Sequence, residues 1–218
     1  MEDIKLIHGD SLQALKGYAD NHFDIAIVDP PYGINIVEQL RKSVESKSSM
    51  YQNKNGIKGN SEWDTNIPTK EYFDELFRVS KNQIIWGGNY FLDYLGATRC
   101  FLIWDKQNGT NNMADAELAW ASFETSVRMY RGHIFKGIGN TNYNPIHPTQ
   151  KPVKLYEWII DKYTSEGDLI LDTHLGSGSI AIACHYMKRK LIGYEIDKEY
   201  YNAACKRFKE QTMQQALW

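Results

Sequence analysis

Asp29-Pro30-Pro31-Tyr32 brings together an acid, two prolines and an aromatic ring directly after the apolar run Phe23 to Val28, which reads as a buried strand. Proline fixes φ and removes a backbone donor, so a strand entering this tetrapeptide cannot continue its ladder. What remains is a rigid set of acceptors, with a carboxylate on one side and a ring on the other. A flat conjugated molecule bearing an NH2 group, such as a nucleobase, suits that slot. Asp-Pro is also ordinary turn chemistry, so the tetrapeptide alone reads equally well as a turn or a site.

A second constellation lies near the other end of the chain. Asp172-Thr173-His174-Leu175-Gly176-Ser177-Gly178-Ser179 follows one apolar run and opens a helix-like stretch, and Glu195-Ile196 closes the next apolar run. Glycines between strand and helix permit a tight turn and close backbone approach to a ligand. An acid about 20 residues on can accept from both ribose hydroxyls. Gly-x-Gly by itself is a weak signal, and this context strengthens it. The third glycine of the dinucleotide pattern is absent, and Asp172 would repel phosphate. A cofactor with a ribose, an ammonium and a sulfonium but no phosphate, S-adenosylmethionine, matches such acids. Asp10 ends an earlier apolar run and is a candidate for the adenine amino group, although an acid there is more often a helix-start residue. His147-Pro148-Thr149-Gln150-Lys151-Pro152 precedes another helix, with Lys151 a candidate for the cofactor carboxylate.

Positioning these residues requires strands that end at one edge. Ile4 to His8, Phe23 to Val28, Gln83 to Trp86, Cys100 to Trp104, Leu169 to Asp172 and Leu191 to Glu195 read as strands. Amphipathic stretches alternate with them: one capped by Ser11, one capped by Thr69, one opened by Pro152, one over Ser179 to Met187, and one from Lys198 to about Gln211. That alternation predicts an α/β fold with a mostly parallel sheet and helices on both faces. Glu117 to Ser122 and Ser126 to Tyr130 read as a hairpin-like antiparallel edge.

Two regions break the rhythm. The first, about 35–63, is polar and reads as a flexible insertion. Its stretch from Arg41 to Lys58 carries five basic residues (Arg41, Lys42, Lys47, Lys54, Lys58) against one acid. It reads both as a solvated loop and as a flap that grips phosphates, and a flap of this kind orders on binding. The second, about 107–146, holds Gly/Asn-rich loops.

The 218 residues fit one domain, with 42% hydrophobic and 24% charged residues and a formal net charge of −2. Any nucleic-acid contact must therefore come from a local patch. Three scattered cysteines and unpaired histidines predict neither disulfides nor a metal site. The N-terminus does not read as a signal peptide, and no apolar run is long enough to span a bilayer, so a cytoplasmic protein is expected.

Taken together, Asp29-Pro30-Pro31-Tyr32-Gly33, Trp104-Asp105-Lys106, the His147 to Pro152 run and the Asp172 to Ser179 turn resemble the DNA amino-methyltransferases that act on adenine N6 or cytosine N4 with S-adenosylmethionine. The catalytic tetrapeptide precedes the glycine turn, as in the circularly permuted beta group. The resemblance covers nearly the whole chain. It implies a Rossmann-like methyltransferase fold with a seven-stranded mixed sheet, a single catalytic domain over 1–218, and a short target-recognition region at about 107–146. It also implies that Asp29, Pro30, Pro31 and Tyr32 are catalytic on a base flipped out of double-stranded DNA. The cofactor would lie among Asp10, Asp29, Lys151, the turn from Asp172 to Gly178, Glu195 and Ile196. An initial Asp leans towards adenine, and cytosine N4 is the alternative. Where the family commonly has Pro-Phe after the glycine-motif acid, this chain has Thr173-His174. That departure is what would favour a catalytically silent nucleic-acid-binding subunit. Members often dimerise, which makes Trp218 and Tyr94 candidate contacts.

Overall fold

The short apolar runs become the strands of one sheet in the computed structural model, which describes residues 3–35, 38, 64–107, 114–132, 146–147 and 149–213. The strands are β1 (Ile4–His8), β2 (Phe23–Val28), β3 (Ser80–Trp86), β4 (Cys100–Asp105), β5 (Ala116–Ala121), β6 (Arg128–Arg131), β7 (Leu169–Asp172) and β8 (Lys190–Glu195). Their order is β1-β8-β7-β2-β3-β5-β4-β6. Every pairing is parallel except those of β5 with β3 and β4.

The helices are α1 (Ser11–Leu15), α2 (Lys70–Val79), α3 (Val153–Tyr163), α4 (Ser179–Tyr186) and α5 (Lys198–Met213). Alternation along a strand sends successive side chains to opposite faces. Ile25 and Ile27 of β2 accordingly join a core with α3, α4 and α5, while Ala26 and Val28 join a second core with α1 and α2. This is the α/β architecture with helices on both faces. Helix α4, apolar almost all round, has Ser179 through Cys184 buried. The sequence makes this burial possible because small residues alternate with isoleucines there, so neighbouring layers approach closely.

Three expectations need correction. Among the described residues the sheet has eight strands, not seven. The stretch Glu117 to Tyr130 is not a hairpin: β4 lies between β5 and β6, and β6 runs parallel to β4 at the sheet edge. Its four residues are mostly exposed, so no alternation of burial marked its partner. Helix α1 is capped by Asp10 rather than Ser11. Asp10 Oδ1 accepts from the backbone N–H of Leu12 at 2.9 Å and of Gln13 at 3.5 Å, which satisfies two donors left open by the first turn. Thr69 caps α2 as expected, accepting from Tyr72 N.

Candidate active site

The C-terminal ends of four adjacent parallel strands carry four acids. Asp10 follows β1, Glu195 ends β8, Asp172 ends β7 and Asp29 follows β2. From β7 the chain moves to β8 on one side, and from β2 it moves to β3 on the other. The crevice between Asp172 and Asp29 is therefore the topological switch point, where open α/β sheets bind ligands.

Asp29 is held at both carboxylate oxygens. The Tyr32 hydroxyl donates to Oδ1 at 2.7 Å, and the Lys151 ammonium donates to Oδ2 at 2.5 Å. Burial first, then the neighbouring Asp29 and Glu117 carboxylates, raise the Tyr32 phenol well above its ordinary value, so it remains a donor. The turn is fixed from outside by Asp64, whose Oδ1 accepts from the backbone N–H of Tyr32 at 2.9 Å and of Gly33 at 3.0 Å. Asp64 is 2% exposed. Asn35 N donates to Asp64 O, which adds a backbone tie between Asp64 and the segment after the tetrapeptide.

The Tyr32 ring lies against Gly87, which has φ +69; a Cβ there would come within 2.2 Å of the ring. Only glycine allows this approach. Tyr90, 44% exposed, stacks on Tyr32 with centroids 4.9 Å apart and planes 14° from parallel.

Lys151 continues into a chain of alternating charges. Its side chain is 2% exposed, and its ammonium lies 3.1 Å from Glu117 Oε2. Glu117 Oε1 is 2.6 Å from the Lys106 ammonium. The Lys151–Glu117 contact is an ion pair, and Glu117 Oε2 is a buried acceptor with no aligned hydrogen bond among the described residues. Burial pushes the Glu117 carboxyl up, but Lys151 and Lys106 outweigh it and hold it below the ordinary value. Burial works to lower the Lys151 ammonium, and Asp29 and Glu117 outweigh that, so it stays charged with a raised value.

The second half of the site is the glycine turn. Glu195 Oε2 accepts from Gly176 N at 2.8 Å and Oε1 from Asp197 N at 2.9 Å. Gly176 at φ +49 and Gly178 at φ +70 take left-handed conformations, and Gly178 abuts Ala204 of α5. Ser177 and Ser179 are buried, and Ser179 Oγ donates to Lys151 O at 2.7 Å. This bond ties the turn to the His147 to Pro152 run. Leu175 is also buried, and Ile196 is 62% exposed.

Asp172 is 3% exposed, and burial pushes its carboxyl up to about 8; the His174 N–H opposes this while Asp29 and Glu195 add to it. Burial lowers the His174 imidazole to about 4, so the ring is neutral. It meets Tyr72 edge-on at 5.5 Å. Thr173 Oγ1 bridges His174 Nδ1 at 2.9 Å and the Tyr72 hydroxyl at 2.7 Å. The Thr173-His174 departure therefore builds a locked, uncharged aromatic plate where an apolar ring was expected.

This donor set fits S-adenosylmethionine. Four acids stand along the sheet edge that holds this crevice, and burial raises the carboxyls of two of them, Asp172 and Glu195. Such a crevice favours a ligand bringing positive charge and hydroxyl donors, and it disfavours phosphate.

The structure brings Asp10, Asp29, Tyr32, Lys151, the Asp172 to Gly178 turn and Glu195 to one edge of the sheet; Pro30 is buried and Pro31 half-buried beside them. It changes one role. The Lys151 ammonium, read in the sequence as a partner for the cofactor carboxylate, spends its donors on Asp29 and, at 3.5 Å, on Tyr32. Tyr94, a candidate dimer contact, is half-buried and stacks on Phe73 at 5.1 Å. Arg41, Lys42, Lys47, Lys54, Lys58, Pro148 and Trp218 lie outside the described residues. Of the 107–146 region, β5 and β6 are sheet strands, and 108–113 and 133–145 lie outside. Sequence reasoning missed Glu117, Asp64, Tyr72 and Tyr90. Only Asp64 left a trace, as an acid at the boundary where the polar stretch ends.

Comparison with known proteins agrees with this geometry. The DNA methylase family profile matches residues 85–206, more than half of the chain. Type II methyltransferase M.HpaI of Haemophilus parainfluenzae is 28% identical over 94% of this chain and 74% of its own length. Type II methyltransferase M.BglII of Bacillus subtilis is 22% identical over 92% of this chain and 67% of its own. Among solved structures, the M1.HpyAVI–SAM complex superposes with a TM-score of 0.59 at 22% identity, covering 94% of this chain and 99% of that one. The PvuII DNA methyltransferase, described as cytosine-N4-specific, gives 0.59 at 14% identity, covering 97% and 92%. The fold is thus that of a SAM-dependent methyltransferase. The chain belongs to the DNA methylase family, and it is a DNA amino-methyltransferase of the adenine-N6/cytosine-N4 type.

Proposed function

We propose that this protein methylates adenine N6 of a base flipped out of double-stranded DNA. The observation that carries the reading is Asp29: a carboxylate held from both oxygens at the switch-point crevice beside the glycine turn. The exocyclic amine of adenine is a weak nucleophile because its lone pair is delocalised into the ring. Each carboxylate oxygen can accept more than one hydrogen bond, so Asp29 still has acceptor capacity for an amino N–H. With the Pro30 carbonyl accepting the second N–H, the nitrogen is drawn towards tetrahedral geometry and its lone pair is freed. The acceptors are fixed before reaction, so they stabilise positive charge developing on that nitrogen without reorganising.

Tyr32 supplies the stacking plate; Gly87 lies against its ring and Tyr90 stacks on it, and a base stacking on Tyr32 takes the place of Tyr90. When bound, S-adenosylmethionine supplies an electrophilic methyl on its sulfonium. Asp10, Asp172, Thr173, His174, the turn through Gly178, Glu195 and Ile196 are the residues that would hold it, and Asp29 faces the same crevice. The initial Asp supports adenine over cytosine. Incubation of unmodified DNA with methyl-labelled S-adenosylmethionine tests the reading: label enters DNA with the native protein, and Asp29→Ala abolishes transfer while retaining cofactor binding. Equal labelling by Asp29→Ala would reject the clamp.

A further inference from the structure

Lys151 poses an electrostatic problem. An ammonium at hydrogen-bond distance from Asp29 orients the carboxylate, but its charge opposes the positive charge that Asp29 must stabilise on the reacting amine. The structure contains a remedy in Glu117. This residue enters at the start of β5, which runs antiparallel to β3 and β4, and so reaches the active-site edge of the sheet from the opposite direction to those neighbours. Its carboxylate lies 3.1 Å from the same ammonium that binds Asp29, and Lys106 anchors its other oxygen at 2.6 Å. Both lysines are nearly fully buried, so solvent screens these interactions little. Direct recognition of the base is a poor role for Glu117, because the ring nitrogens of adenine are acceptors and would meet a carboxylate unfavourably.

We infer that Glu117 is a positioning residue for methyl transfer. Its charge offsets that of Lys151, so that Lys151 orients Asp29 without cancelling the negative charge Asp29 presents to the base amine. Lys106 in turn holds Glu117 in place. The inference rests on the proposed role of Asp29 as the amine acceptor, and it adds a charge requirement at a residue that touches neither base nor cofactor.

The test is the single-turnover methylation rate of unmodified genomic DNA at saturating DNA and cofactor, for the native protein, Glu117→Gln and Glu117→Asp. Cofactor dissociation constants and thermal melts are measured alongside. Loss of one preorganised electrostatic contact reduces turnover by about 100-fold in well-characterised sites, and an indirect one should cost about 10- to 100-fold. Glu117→Gln, which keeps shape and removes charge, is expected to slow transfer by that factor with cofactor affinity within about threefold. Glu117→Asp, which keeps charge, is expected to retain most of the rate. A role in shape alone predicts the reverse order, and that order, or native rates in Glu117→Gln, overturns the inference. Should Glu117→Gln fail to fold, Lys151→Gln with and without Glu117→Gln decides: Glu117 acts only through the Lys151 charge, so the single and the double variant transfer methyl at rates within about threefold of each other, and a tenfold lower rate in the double variant overturns the proposal. Failure of the native protein to label any DNA would instead reject the function on which the inference rests.

Discussion

Replacing Lys151 by Met is the sharpest probe of the buried charge chain. The side chain is 2% exposed and stands between two carboxylates, Asp29 at 2.5 Å and Glu117 at 3.1 Å. Removing one member of a buried ion pair typically costs about 3–5 kcal/mol, because the partners left behind are unpaired in a poorly solvated place. For a domain of this size each kcal/mol moves the melting temperature by about 2–4 °C, so a fall of about 6–20 °C is expected at pH 7. The pH dependence supplies the diagnostic. The folded Glu117 carboxyl lies below its ordinary value of 4.5. The stability it contributes is therefore present above that value and lost as pH falls through the depressed one. Lys151→Met removes most of that contribution, so its deficit should be full at pH 7 and narrow progressively below about pH 4.5. Thermal melts of both proteins from pH 7 to pH 3.5 read this directly. A deficit under 2 °C at neutral pH, or one that persists undiminished on acidification, would refute the reasoning.

Three further outcomes follow from the same geometry. The Asp172 carboxyl is pushed up to about 8, so between its ordinary value and about 8 the unfolded chain is ionised while the folded one is not, and stability falls as pH rises. Asp172→Asn should therefore raise the melting temperature of the cofactor-free protein at pH 8, have no such effect near pH 4, and weaken cofactor binding in calorimetric titration. Tyr32→Phe removes a hydrogen bond to a charged group, worth about 1.5–3 kcal/mol, and should slow single-turnover transfer by at least about tenfold, while Tyr32→Ala, which also loses the stacking plate, falls much further. Native rates in Tyr32→Phe would mean that Lys151 alone orients Asp29. Gly87→Ala places a methyl within 2.2 Å of the Tyr32 ring at a positive φ, so it should lower both the melting temperature and the transfer rate; an unaffected rate would show that the Tyr32 position tolerates displacement.

Much of this architecture was legible in the sequence for physical reasons. Fully buried parallel strands such as Phe23–Val28 are short apolar runs bounded by breakers, and the acids that end them stand out because they sit where the hydrophobic pattern stops. Asp29, Asp172 and Glu195 were visible on that ground. Strand β6 was legible as a strand near Ser126 to Tyr130 but not in its pairing: Arg128 and Met129 are exposed and only Tyr130 is partly buried, so no periodicity marked its partner, which is β4 rather than β5. Glu117 was hidden for a related reason. Its importance comes from Lys151, 34 positions further along the chain, and from the direction in which β5 crosses the sheet edge. Lys151 itself was singled out but assigned to the cofactor, because sequence gives no distance to Asp29. Asp10 shows the opposite difficulty, since one carboxylate serves as a helix cap whether or not it also meets a ligand.

The central claim is that Asp29 makes an adenine N6 amine nucleophilic towards S-adenosylmethionine. Its most direct test is nucleoside analysis of unmodified genomic DNA after incubation with the native protein and methyl-labelled cofactor, beside Asp29→Ala. The account predicts label in N6-methyladenine, absent from the Asp29→Ala reaction. Label in N4-methylcytosine instead, or N6-methyladenine formed equally well without the Asp29 carboxylate, would contradict it.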